Sequence, residues 1–192
     1  MSKFSDYLQA ISQVNGLVNG QANGLGNNRK VQWLFHCGML FSSKDKWWGD
    51  FKFRHCPHEG IDITYYRTNP DEIHSFDDSI KVPAMDDGII LNICDDFLGQ
   101  TLVVEHENSI VFNRRIIFAY AHIIPEKNLK VGHIIKKKDV IARVCDTNRN
   151  PQLPPHLHFS CFEVLKKVPP EHLNWDLFSK NLEVNLIHPV SL

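Results

Sequence analysis

No CxxC pair occurs among the cysteines at 37, 56, 94, 145 and 161, and an odd number cannot all pair within one chain. A disulfide framework is therefore not expected. Net charge is also nearly absent: 21 Lys and Arg stand against 22 Asp and Glu. That balance lacks the basic excess of nucleic-acid-binding proteins, so no nucleic-acid partner is expected. The short basic runs at 136–138 and 166–167 read as solvated strand ends or turns. No apolar run approaches the roughly 20 residues of a transmembrane helix. The N-terminus, MSKFSDYLQAISQVNG, lacks the uninterrupted apolar core of a signal peptide. The expectation is a cytosolic protein, one exported by a route that reads no such signal, or a sequence that starts after a signal. Nothing in the sequence specifies an oligomeric state.

Helical periodicity is scarce. Phe4, Leu8 and Ile11, with Tyr7 and Val14, recur at helical spacing and predict a short amphipathic helix over 3–14. Residues 15–28, NGLVNGQANGLGNN, repeat the turn-forming Asn-Gly pair with little to bury, and read as a linker or arm able to lie over a groove. The expected organisation is an N-terminal helix and Asn/Gly-rich arm over 1–29, then a folded domain over 30–192.

Within that domain β signals dominate. VQWLFHCGML, IKVPAMDDGIILNIC, TLVVEHENSIVF, RIIFAYAHI, VGHIIKKKDVIARVC and HLHFSCFEV are apolar or alternating runs, mostly punctuated by Gly, Asn or Asp. Only PPEHLNWDLFSKN, over 169–181, predicts a late helix, with Leu173, Leu177 and Phe178 on one side. The predicted fold is mainly β, an antiparallel β-sandwich or split barrel with few short helices.

What the chain has in quantity is histidine, 11 residues in all. In PPHLHFSCF the strand period puts His156 and His158 on one face and Leu157 and Phe159 on the other, with strand entry expected at Pro155 or His156. With so many histidines, one His-x-His pair is weak evidence and needs partners. HEGID, over 58–62, supplies His58 and Asp62. In a straight strand their Cα atoms would lie roughly 13 Å apart, too far to share an ion, so the chain must bend, and Gly60 permits it. Two imidazoles, a carboxylate and a water are a common catalytic zinc set. His58, Asp62 and one histidine of HLH would complete it. In FAYAHI, alternation puts His122 on the side of Phe118 and Tyr120.

Taken together and in this order, HEGID at 58–62, YAHI at 120–123 and HLHF at 156–159 resemble the LytM and lysostaphin-type zinc endopeptidases, which cleave peptide cross-bridges of bacterial peptidoglycan. VPAMDDGII, NLKVGHIIKKKDVIARV and NLIHPV extend the likeness between and beyond the motifs. The resemblance implies a lysostaphin-like antiparallel β fold with a groove over one zinc ion, occupying 30–192. It implies His58, Asp62 and His158 as zinc ligands, His122 and His156 as the catalytic pair, and peptidoglycan peptides as substrate at the cell envelope. Two rival readings are a zinc endopeptidase acting on another peptide and a non-catalytic binding module of the same fold.

The sequence departs from the family pattern in places that shape the groove. Lys138 and Asp139 replace a small glycine-containing turn, Cys145 stands where the family often has glycine, the loop over 71–79 is long, and 166–183 is inserted before the closing segment. His55 and Cys56 lie beside His58, but the motif spacing selects His58. The remaining histidines are expected to be surface or satisfied core residues.

Overall fold

The computed structural model describes residues 3–17, 31–111, 113–147, 152–180 and 184–191. Residues 18–28 of the Asn/Gly-rich arm lie outside the described residues. The N-terminal periodicity folds as α1 (Lys3–Val14). Phe4, Tyr7 and Ile11 enter the principal core, where the Tyr7 ring sits 5.0 Å from Phe159 and 6.1 Å from Tyr120. None of the described helices is long and apolar enough to cross a membrane.

The strands are β1 (Gln32–Leu34), β2 (Gly60–Ile63), β3 (Tyr65–Asn69), β4 (Glu72–His74), β5 (Lys81–Pro83), β6 (Gly88–Asp95), β7 (Gln100–Val111), β8 (Arg114–Pro125), β9 (Ile134–Ile135), β10 (Val140–Val144), β11 (Leu157–Leu165) and β12 (Val184–Ile187). The fold is mostly antiparallel β. Its main sheet runs β12-β11-β8-β7-β6-β9, with β10 joining β5 to β8 and β2 joining β11. A small sheet, β1-β3-β4, stands apart. The loop that reads as long, 71–79, contributes β4 to it.

Local chemistry shortens two of the predicted elements. The run VQWLFHCGML is strand only to Leu34, because His36 caps a 3-10 turn over Cys37–Met39. The late helix is α2 (Trp175–Lys180), preceded by a separate 3-10 turn at Pro170–His172. Strand β11 starts at Leu157, just beyond the expected entry at Pro155 or His156.

The main sheet is buried on both faces, which explains why β8 reads as a nearly continuous apolar run. Phe118 and Tyr120 of β8, with Leu157 and Phe159 of β11, face the core shared with α1. Ile117 and Ala119, with Phe162 and Val164, face a second core closed by Val168, Leu173 and Phe178. The Phe162 and Phe178 rings stack with centroids 4.2 Å apart. The segment inserted after β11 is thus the cover of the second face.

One residue breaks the alternation of β8. His122 has φ 62°, a left-handed conformation costing about 1–2 kcal/mol for a residue with a Cβ. It lies where β8 changes partner, since Ala121 pairs with His158 of β11 whereas Ile123 pairs with Val144 of β10. Strict alternation predicts the His122 ring beside Phe118 and Tyr120. Its ring neighbours are instead Phe97, His156 and His158.

Candidate functional site

The bend expected between His58 and Asp62 is built by pairing outside the motif. His58 sits before β2, where its N–H donates to the Ser43 carbonyl at 2.9 Å and its carbonyl accepts from Ser42 at 2.8 Å. Asp62 lies within β2, directly opposite His158 of β11. Gly60 has a second role besides bending. It pairs with Ser160, and a Cβ there would lie 2.5 Å from the Phe159 carbonyl oxygen and 2.9 Å from His158 Nε2. Only glycine lets the two motif strands approach this closely.

Three donor atoms converge as a result. His58 Nε2 lies 3.1 Å from Asp62 Oδ1 and 3.0 Å from His158 Nδ1, and His158 Nδ1 lies 2.8 Å from Asp62 Oδ1. All three residues are buried, and they are the group able to hold a metal ion among the described residues. The far sides of the rings are occupied. His58 Nδ1 faces the Leu40 carbonyl at 3.1 Å, and His158 Nε2 faces Ser160 Oγ at 2.6 Å. With Nδ1–H of His58 donated to Leu40 and Nε2–H of His158 to Ser160, two ring lone pairs and a carboxylate oxygen point at one another. That arrangement is repulsive alone and attractive around a cation. Bonds of about 2.0–2.1 Å to a tetrahedral ion imply donor separations near 3.3 Å, so the donor set and spacing fit zinc.

The outer oxygen of Asp62 is also fixed. Trp47 Nε1 donates to Oδ2 at 2.6 Å and Arg54 at 3.3 Å. Without a cation the rings can instead turn a proton toward Asp62: burial raises the carboxyl's pKa, but the charges of His58 and His156 and the bonds donated by His158 and His58 then outweigh it and hold the carboxyl well below the usual range. For His158 burial dominates and lowers the pKa.

His122 and His156 flank this centre with ring centroids 4.9 Å apart. His156 Nδ1 donates to the Pro154 carbonyl at 2.9 Å, which leaves Nε2 as the lone-pair atom, 3.8 Å from Asp62 Oδ1. Burial, only partly offset by Asp62, pushes the His156 pKa down to about 3, so the ring is neutral near pH 7. His122 is held by Asp96, whose Oδ2 accepts the backbone N–H at 2.9 Å and whose Oδ1 accepts from Nδ1 at 3.0 Å. Burial raises the Asp96 pKa, but the bonds and charge of His122 hold the carboxyl below its ordinary value.

All five residues singled out in the sequence line or adjoin one cleft of about 310 Å³, walled by Trp48, Phe97 and Trp175. His55 and Cys56 are exposed and outside the donor group. Trp47, Arg54, Asp96, Ser160 and Trp175 were not legible as site residues. Of these only Asp96 carries a local signal, the Asp-x-x-Gly of a turn after β6.

The sequence model of Peptidase family M23 matches residues 57–170, more than half of the chain. Similar solved structures include lysostaphin in solution, at 15% identity and TM-score 0.47 over 73% of this chain and 46% of that one. LytU is similar at 19% identity and TM-score 0.46, over 78% of this chain and 84% of that one. A zinc-containing peptidase from Vibrio cholerae is similar at 26% identity and TM-score 0.42, over 68% of this chain and 32% of that one. The chain thus spans less than half the length of the lysostaphin and Vibrio proteins. No curated protein sequence matches it.

Proposed function

The chain belongs to peptidase family M23, and on that premise we propose that it is a zinc-dependent endopeptidase hydrolysing the peptide cross-bridges of bacterial peptidoglycan, acting at the cell envelope. The observation that carries this reading is the convergence of His58 Nε2, Asp62 Oδ1 and His158 Nδ1 within 3.1 Å of one another beside the cleft. In this reading those three residues hold one zinc ion, and His122 and His156 handle protons.

Zinc held there supplies Lewis acidity, bringing the pKa of water toward about 7 and polarising a peptide carbonyl. His156 is the proton acceptor, because its Nδ1–H is committed to Pro154, which leaves an Nε2 lone pair facing the centre. His122 is the second proton-transfer group. Its Nδ1 donates to Asp96 at 3.0 Å, which leaves Nε2 as the atom that serves the developing oxyanion and the leaving amine. The aromatic walls Trp48, Phe97 and Trp175 exclude water from one side of a bound peptide and strengthen these contacts.

The test is zinc analysis of the purified protein beside digestion of peptidoglycans of different bridge type, with mass spectrometry of the fragments. One zinc per chain and new amine and carboxyl ends at a cross-bridge are expected. Cleavage of other peptides alone would move the substrate, and neither metal nor hydrolysis would leave a binding module.

A further inference from the structure

The carboxylate of Asp96 accepts more hydrogen bonds than its turn requires. Oδ1 takes the N–H groups of Leu98 and Gly99 at 2.9 and 2.8 Å, which is enough to close the turn between β6 and β7. The same carboxylate holds the backbone and ring of His122, 26 positions along the chain. A fifth bond comes from Thr101, whose hydroxyl donates to Oδ2 at 2.9 Å. The Thr101 oxygen is itself an acceptor, taking the indole N–H of Trp175 at 2.8 Å. The chain Trp175–Thr101–Asp96–His122 therefore runs from α2 to the site. Trp175 also sets its ring edge-on to His158, with centroids 5.5 Å apart.

These contacts answer a problem that β8 creates. His122 is left-handed: its carbonyl still accepts from the Cys145 N–H at 2.9 Å, but its own N–H and its ring are held by the Asp96 side chain instead of a neighbouring strand. A residue in that conformation keeps one orientation only if its surroundings over-determine it. Asp96 does so by fixing the main chain and the ring at once, and Thr101 and Trp175 fix Asp96. The Asp96 and Thr101 side chains are buried, so water does not compete for these bonds. Trp175 lies beyond the segment that matches the family, 57–170, so the outer end of the chain of bonds comes from the inserted segment.

We infer that Asp96, Thr101 and Trp175 are positioning residues that lock the His122 imidazole in its working orientation and tautomer, coupling the inserted helix α2 to the reaction centre. The inference rests on the reading of His122 as a proton-transfer group. Thr101→Val keeps the side-chain shape and deletes the hydroxyl, while Trp175→Phe keeps an aromatic ring and deletes the indole N–H. Each variant lowers kcat about tenfold, and Asp96→Asn, which also loosens the turn, about a hundredfold, as small misplacements of catalytic groups do. Thr101 does not line the cleft, so Thr101→Val leaves KM and zinc content at wild-type values.

A second readout needs no activity. In zinc-free and zinc-loaded protein, the Nδ1–H and ring nitrogen resonances of His122, assigned by comparison with His122→Gln, shift in both Thr101→Val and Trp175→Phe. Resonances unchanged in both variants would overturn the coupling. If the wild-type chain hydrolyses no peptide, the proposed function falls, and the resonances still decide whether the bonds fix His122.

Discussion

Trp47 Nε1 donates to Asp62 Oδ2 at 2.6 Å, the shorter of two bonds that hold this oxygen away from the histidines. With Oδ2 taken by the indole and by Arg54, Oδ1 is the oxygen left within 3.1 Å of His58 and His158. Trp47 is 2% exposed and also packs edge-on to His156. Trp47→Phe keeps most of that packing and removes the donor. Zinc affinity should fall about 10–100-fold, as it does when partners behind metal ligands are lost. Competition with a chromophoric chelator measures it, and unchanged affinity would mean that Arg54 and the strand orient Asp62 without the indole.

The strands and the three converging donors were legible in the sequence because their signals are local. Apolar or alternating runs mark β7, β8 and β11, and His58, Asp62 and His158 lie, with His122 and His156, inside three short motifs. What surrounds them was not legible. Trp47 reaches Asp62 through the turns before β2, and Trp175 reaches Thr101 from the far end of the chain, so no spacing encodes either contact. The side of β8 from which His122 projects was misread for a specific reason. The period of two holds only while φ stays extended, and at His122 it does not.

Gly60 offers a steric test of how closely β2 and β11 must approach. A methyl at this position presses on Ser160, the Phe159 carbonyl and His158, and backbone cannot yield as a flexible side chain can. Gly60→Ala should cost about 1–3 kcal/mol of stability, the usual range for overpacking. Because Ser160 Oγ bonds His158 Nε2, zinc affinity should fall as well. Chemical unfolding and zinc titration of the variant measure the two effects, and wild-type values in both would show that the strands have room to separate.

On the proposed function the five motif residues divide by role, and their alanine variants should divide in the same way. His58→Ala, Asp62→Ala and His158→Ala each remove one of the converging donors, so bound zinc and hydrolysis fall together. His122→Ala and His156→Ala leave the donors in place, so zinc stays bound while the rate falls about 10²–10⁴-fold. Zinc stoichiometry beside rate, with folding checked by circular dichroism, separates the groups. Loss of zinc in His156→Ala with retention in His158→Ala would reverse the assignment of the HLH pair.

His106 sits away from the cleft and makes the fold sensitive to acid. Its Nδ1–H donates to the Asp87 carbonyl at 3.1 Å, and its Nε2 accepts from the Tyr120 hydroxyl at 2.7 Å, whose oxygen accepts the Met85 N–H at 3.0 Å. Neutral imidazole satisfies every member of this network. Burial accordingly lowers the His106 pKa to about 4, against the opposing pull of the Asp87 and Asp86 contacts. Between its ordinary value and about 4 the unfolded chain binds a proton that the folded chain does not. Stability is therefore full above the ordinary histidine range and falls with pH toward 4, by up to about 3 kcal/mol from this residue. His156 and His158, also lowered by burial, act with the same sign, so the wild-type slope is not due to His106 alone. His106→Gln offers a carbonyl to Tyr120 and an amide N–H to Asp87 without a titrating proton. Urea midpoints at pH 7.5 and pH 5 should lie closer together in this variant than in the wild type, and an equal separation would show that the His106 network does not titrate on unfolding.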